Sequence, residues 1–405
     1  MRVAFLASSF LNPDDPRSWS GLPYFMRRAL EGAGLETVTL RPVDNDGAAR
    51  WALFLYWRWL RGKRYLRYCS SGLQRSYGRQ FKRLLASASV DAVFSPSTWL
   101  VSHLETDLPT LFWTDACFAG IVDFYPSFTN LAAPSIRNGH AAEQGALDRC
   151  ARAIYSSQWA ADTARRNYAA EPGKIQVVPF GGNLQEPPTW TEVVSMVQSR
   201  PKDRCELLFV GVDWQRKGAD IAIDTARALT AAGFDVRLTI VGCSAPKNTP
   251  IPAYVEVIPF IGKEAVEGRR RLREIFGRSH FFVMPTRAEA FGLVFAEACA
   301  FGVPCLATKL GGLPSVIVDD VNGRLFPVGT GGAVYADHIA GLMRDPVRYQ
   351  KLALRAAHEA MTRLSWKISG SKVADLFEAM RPSAPSGGVA RAPPREAAEP
   401  SPLAS

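Results

Sequence analysis

No Cys-x-x-Cys pair occurs among the seven cysteines, whose closest members are Cys299 and Cys305. Neither a disulfide framework nor a zinc ribbon is indicated. The odd, scattered set fits a reducing compartment, where thiols serve as small buried apolar groups, so a cytoplasmic location is expected. The five histidines, His103, His140, His280, His338 and His358, show no metal-ligand spacing and are expected to be ordinary surface or partly buried residues. The one Asp-x-Asp, Asp44-Asn45-Asp46, falls in a polar turn and is a weak metal candidate. No metal and no cofactor are expected. No GxGxxG turn follows a first strand and no GxxxxGK[ST] loop occurs, which disfavours a dehydrogenase or a P-loop NTPase. Long apolar runs are missing as well. The stretch Trp51 to Trp57 is far shorter than the ~20 residues that span a bilayer. The opening MRVAFLASSFL has one arginine, a short apolar run and a polar continuation, which suits a buried first strand better than a leader.

Acid is missing from one window. Residues 50 to 83 hold ten cations and no Asp or Glu, in a chain of 405 residues with 48 Lys and Arg against 38 Asp and Glu. The other 38 cations balance the 38 acids, so the net charge of +10 belongs to this segment. Nine aromatics (Trp51, Phe54, Tyr56, Trp57, Trp59, Tyr65, Tyr68, Tyr77, Phe81) are interleaved with the cations. Three readings stay open. The window is a helical pair with apolar residues on a sheet and arginines in water, an interfacial segment on an anionic membrane, or a nucleic-acid site in which bases stack. Nucleic acid ranks last, because no recognised motif accompanies the window.

What is present is an alternation of short apolar runs with longer helical patterns. Runs at 90–96, 110–115, 153–157 and 174–180 follow the first strand, and a second series lies at 205–211, 236–242, 254–262, 280–286 and 304–312. That pattern predicts α/β structure in two tandem Rossmann-like domains, each a parallel doubly wound sheet, with the functional cleft between them. The expected boundaries are a first domain 1–182, a linker 183–204 with a little helix, a second domain 205–365, a closing helix 366–381 and a disordered tail 382–405.

The most informative stretch runs from Met284 to Pro327. Glu289, Phe291-Gly292, Glu297, Gly302-Val303-Pro304 and Gly311-Gly312-Leu313-Pro314 stand there in order. A glycine before a helix start exposes free amides to a phosphate, and Glu297 inside the helix can accept from two vicinal hydroxyls. Two solvated helix-face acids are the plainer alternative. The stretch resembles the donor-binding signature of family-4 (group 1) retaining glycosyltransferases of GT-B fold. The resemblance implies transfer of a sugar from a nucleoside diphosphate sugar to a glycan or lipid-linked acceptor hydroxyl, without covalent nucleophile or essential metal. It gives Glu289 a catalytic role at the sugar and places Phe291, Gly292, Leu293 and Glu297 on the donor. The segment FVGVDWQRKG resembles the family's diphosphate-neutralising loop: Lys217 matches its lysine, Val212 stands at its arginine position, and Arg216 is the candidate second cation. Phe260 and Ile261 match a segment beside the nucleobase, with core packing as the alternative. Gly21 matches a glycine that approaches the donor from the opposite domain. Asp115 stands after a strand where many relatives carry a histidine, and orients acceptor or sugar or else serves as a helix N-cap or turn aspartate. A nucleotide-sugar epimerase or phosphorylase shares the expected fold, and a basic membrane- or nucleic-acid-binding protein using residues 50–83 is the reading of another class.

Overall fold

The computed structural model of the chain describes residues 1–43 and 47–381. The Asp44-Asn45-Asp46 turn and the tail 382–405 lie outside the described residues.

The first sheet contains β1 (Arg2–Leu6), β2 (Glu36–Leu40), β3 (Ala92–Ser95), β4 (Thr110–Thr114), β5 (Arg152–Tyr155) and β6 (Ile175–Val177), all parallel, in the order β2-β1-β3-β4-β5-β6. The second contains β7 (Arg204–Val210), β8 (Asp235–Val241), β9 (Val255–Ile258), β10 (Phe281–Met284), β11 (Cys305–Thr308) and β12 (Gly323–Phe326), in the order β12-β11-β10-β7-β8-β9. The opening apolar run is thus β1, paired on both sides, with Val3 opposite Thr37 and Ala92. Helices cover both faces of the central strands, which is why VAFL and FFVM read as unbroken apolar runs and AVFS departs from one only at Ser95. β2 (ETVTL) and β12 (GRLF) are edge strands with mixed side chains, and the apolar pattern misses both.

Strand order reverses between β1 and β3 in the first sheet and between β7 and β10 in the second. In doubly wound sheets a ligand crevice opens outside the strand C-termini at such a reversal. The loops after β1, β3, β7 and β10 are therefore the ones that build the cleft.

Two chain crossings join the domains. In the first, the helix Trp190–Ser199, opened by a Thr189–Glu192 capping box, buries Val193 and Val197 in the core of the second domain. Arg200 at its end is 4% exposed and donates to the carbonyls of Gly277, Phe301 and Gly302 and to the Tyr349 hydroxyl at 2.6–3.2 Å. The segment 183–204 is thereby fastened to the second domain. In the second crossing, the helix Trp366–Glu378 returns to pack on the helix Leu22–Gly32 of the first domain. Trp366 stacks on Phe180 and meets Trp113 edge-on, each at 5.5 Å, while its Nε1 donates to Asn183 at 2.9 Å.

The basic window divides into two parts that behave differently. The helix Ser71–Ser87 buries Leu73, Tyr77, Phe81 and Leu85 against the first sheet, as a helix-on-sheet reading requires. The helix Ala48–Leu55 and the turn Tyr56–Leu60 bury nothing, so the helical-pair expectation fails for them. Trp51, Leu53, Leu55, Tyr56, Trp59 and Leu60 all face outward, Trp59 at 77% exposure. Among the described residues no helix is long and apolar enough to cross a membrane.

Candidate functional site

A cleft of about 1210 Å³ lies between the strand C-termini and takes its lining from both domains. Its second-domain wall is built at the β7–β10 reversal. After β7, Asp213 accepts from the Arg216 amide at 2.9 Å and caps the short helix Trp214–Lys217. Arg216 and Lys217 leave its last turn toward the cleft. The loop after β10 is braced to that helix, since the Arg287 amide and the Thr286 hydroxyl both donate to the Arg216 carbonyl, at 2.7 and 3.1 Å. This bracing fixes Glu289 beside Lys217, and their side chains form an ion pair. Glu297, 3% exposed inside the helix Leu293–Ala300, pairs with Lys263 at 2.5 Å. The solvated-acid alternative is therefore wrong for both carboxylates: Glu289 is 8% exposed, and burial of an ionised carboxylate needs the partner that each one has.

The glycines of the signature have identifiable neighbours. A Cβ on Gly311 or Gly312 would lie 2.0 Å from the Glu289 carbonyl oxygen or 1.9 Å from that of Ala290, so only glycines let the 311–312 turn clamp the loop that carries Glu289. Gly292, at φ 90°, opens the helix in the left-handed region. Its Cβ direction is filled by Phe295 and Leu313, so protein packing by itself requires a glycine there. Gly21 also has positive φ and begins the helix Leu22–Gly32. It is buried against the Pro16 carbonyl and Asn183, while its neighbours Ser20 and Leu22 line the cleft and Gly21 does not.

Phe291, Gly292, Leu293, Phe260 and Ile261 all line the cleft. Core packing does not explain Phe260, which is 69% exposed at the mouth. Ile261 is half-buried against the core and serves both roles. Val212, at the family's arginine position, is 66% exposed, and Arg216 is the cation on the wall.

Asp115 lines the opposite wall, after β4. Cys117, and not Asp115, stands at the N-cap position of the following short helix, which removes the N-cap alternative, whereas the bonds Asp115 accepts from its own amide and that of Ala116 fit a turn aspartate. Burial pushes the Asp115 carboxyl up to about 6, and the nearby Glu289 carboxylate adds to the rise against hydrogen bonds from Thr114 and local amides. Two further residues belong to the site. Lys263 holds Glu297, and its signal was a cation directly after Gly262, which closes the apolar run 254–262. Tyr125, from the first domain, accepts from the Ala290 amide at 2.6 Å and lies under the Arg216 guanidinium at 5.5 Å. Its partners are remote in sequence, and nothing local marks it. The Gln158 amide donates to Ser315 at 2.9 Å and adds a second contact between the domains. Among the described residues no group of three or more His, Cys, Asp and Glu side chains is placed to hold a metal ion.

Residues 204–345 match the family described as glycosyl transferases group 1. The chain is similar to a D-inositol 3-phosphate glycosyltransferase of Xylanimonas cellulosilytica, 30% identical over 238 residues that cover 55% of this chain and 56% of the relative. A protein of the same name from Nocardiopsis dassonvillei is 29% identical over 241 residues, covering 56% of each. The alignments thus span about half the length of these curated relatives. Among solved structures, a sucrose-phosphate synthase from Thermosynechococcus elongatus has a TM-score of 0.66 at 18% identity, over 94% of this chain and 98% of that one. HepE of Anabaena, in complex with UDP and glucose, has a TM-score of 0.59 at 14% identity, over 94% of this chain and all of the other (100%). These likenesses show the fold, which is GT-B.

Proposed function

We propose that this chain of GT-B fold, whose second domain matches the group 1 glycosyl transferases, is a retaining glycosyltransferase that moves a sugar from a nucleoside diphosphate sugar to an acceptor hydroxyl. The observation that carries the reading is the pair of buried carboxylates, Glu289 and Glu297, flanking one helix start at a sheet reversal, each held by a lysine. In this reading the donor diphosphate lies at the start of the helix Leu293–Ala300, where free amides, Arg216 and Lys217 take up its charge. As Lys217 turns to the phosphate, Glu289 is released to accept from hydroxyls of the sugar. Glu297 accepts from the vicinal hydroxyls of the ribose, and Phe260 with Ile261 borders the base.

The acceptor oxygen bonds to the anomeric carbon while the bond from that carbon to the phosphate oxygen breaks. The electron pair leaves with the diphosphate, and the hydroxyl proton passes to the departing phosphate oxygen on the same face of the sugar. Asp115 accepts from the acceptor hydroxyl and aims it. Positioning and charge stabilisation carry this scheme, with neither a protein nucleophile nor a metal ion in it. The UDP in the HepE complex makes uridine donors the first to try.

A thermal-shift panel of nucleoside diphosphate sugars identifies the donor, because a bound ligand raises the melting temperature according to its affinity. The Glu297→Ala variant is expected to lose most of that shift and of the turnover. Wild-type affinity and turnover in this variant would refute the donor site.

A second reading concerns where the enzyme works. The outward aromatic and leucine side chains of residues 48–60, in the acid-free basic window, favour peripheral binding to an anionic membrane. Cosedimentation with phosphatidylglycerol vesicles at low salt, reversed by raising salt, is the expected result, and no binding at low salt would refute it.

A further inference from the structure

The cleft does not end at the donor residues. Past Asp115 it continues into the first domain at the C-terminal ends of β3 and β4, where Tyr65, Tyr68, Leu73, Tyr77, Trp99 and Phe118 line it. A single small-molecule site occupies ~300–1,000 Å³. The cleft's volume of about 1210 Å³ therefore leaves room for a second ligand beside the donor.

The extension offers aromatic and aliphatic surface and few free polar groups. Inward of Arg67 and Asp115, Glu143 is the one acidic or basic side chain of its lining. Both oxygens of Glu143 are engaged: the Tyr155 hydroxyl donates to Oε1 at 2.8 Å, and the Thr98 hydroxyl and Phe118 amide donate to Oε2 at 2.9 and 3.2 Å. The Gln74 side-chain amide donates to the Tyr68 carbonyl at 3.3 Å. Apart from Arg67 at the outer side and the tyrosine hydroxyls of the wall, a phosphate or a sugar ring in this space would find few partners to replace its water. An apolar body would gain contact with the rings. At the outer side Arg67 stacks over Trp51 at 3.9 Å, so the pocket wall is continuous with the exposed aromatic segment 48–60.

We propose that this extension is the acceptor site and that it takes an acceptor with an apolar body, bearing one hydroxyl presented to Asp115. The transfer step rests on the function proposed above, whereas the binding does not. The body is either a fused aromatic ring or a lipid chain; a phosphorylated cyclitol such as the relatives' names imply does not suit the lining.

The test uses the full chain without donor. Titration with 4-methylumbelliferone, followed by quenching of tryptophan emission, is expected to saturate, with farnesol in phosphatidylcholine vesicles added as competitor. Displacement by farnesol assigns a chain-shaped body, and saturable quenching that farnesol leaves intact assigns a ring. Leu73→Arg, which puts a cation in the wall, and the milder Trp99→Ala, at a half-buried position, are each expected to weaken apolar binding at least about tenfold. The thermal shift given by UDP is expected to stay as in wild type for both variants, which reports that they fold. The proposal is overturned if neither apolar probe binds, if affinity ignores both substitutions, or if 1D-myo-inositol 3-phosphate displaces the probe. Probe binding without any nucleotide shift in wild type would overturn the donor reading alone.

Discussion

Replacing Tyr125 by phenylalanine removes one oxygen from the contact between the domains. The ring stays under Arg216, so the cation–π contact at 5.5 Å is kept. What is lost is the acceptor for the Ala290 amide, 2.6 Å away in the loop that carries Glu289. In a closed cleft that amide has no substitute partner, and an unsatisfied buried donor costs about 1–3 kcal/mol. In an open cleft it meets water at no such cost. The penalty therefore falls on closure, and at about 1.36 kcal/mol per decade it lowers kcat/KM roughly 5- to 150-fold. Initial rates with the donor found by thermal shift measure the ratio, and melting curves check that stability is unchanged. A kcat/KM within about twofold of wild type, at equal stability, would show that this hydrogen bond does not hold the reactive arrangement.

Because the Asp115 carboxyl is pushed up to about 6 and aims the acceptor by accepting the hydroxyl's hydrogen bond in its ionised form, kcat/KM is expected to rise as pH passes through about 6. In Asp115→Asn the rate should be low and that inflection absent. Glu143, buried and pushed up to about 7, favours its protonated form in the folded state. Its folded pKa lies above the unfolded value near 4.5, so the folded state binds the extra proton and stability falls as pH rises from about 4.5 to 7. Asp115 adds a fall of the same sign between about 4 and 6. Urea titrations across that range should show a flatter profile in Glu143→Gln. Arg200→Met strands three carbonyls and the Tyr349 hydroxyl in the second domain, which should cost on the order of 3 kcal/mol in chemical denaturation while leaving first-domain probe binding intact.

The buried strands were legible because a strand covered on both faces is apolar along nearly its whole length, as FFVM and the VAFL of β1 are. The two carboxylates were legible because glycines that must admit the carbonyls of Glu289 and Ala290 leave a fixed spelling in the chain. β2 and β12 escaped because an edge strand tolerates ETVTL or GRLF. Tyr125 escaped for another reason: its value lies in Ala290, 165 positions away, and no local pattern encodes a contact made only when two domains meet. The window 50–83 had a composition that suits both a packed helix and an exposed one. Its two parts follow different courses, because only Ser71–Ser87 places its apolar residues on one stripe above the sheet.

The return of Trp366–Glu378 to the first domain governs how this protein can be cut and recombined. Trp366 fills the space between Trp113, Phe180 and Phe25, so a chimera that exchanges everything after the first crossing would hand that space to a foreign helix. Donor preference should transplant cleanly only as an internal cassette that begins after Asn183, ends before Trp366 and leaves the native helix in place.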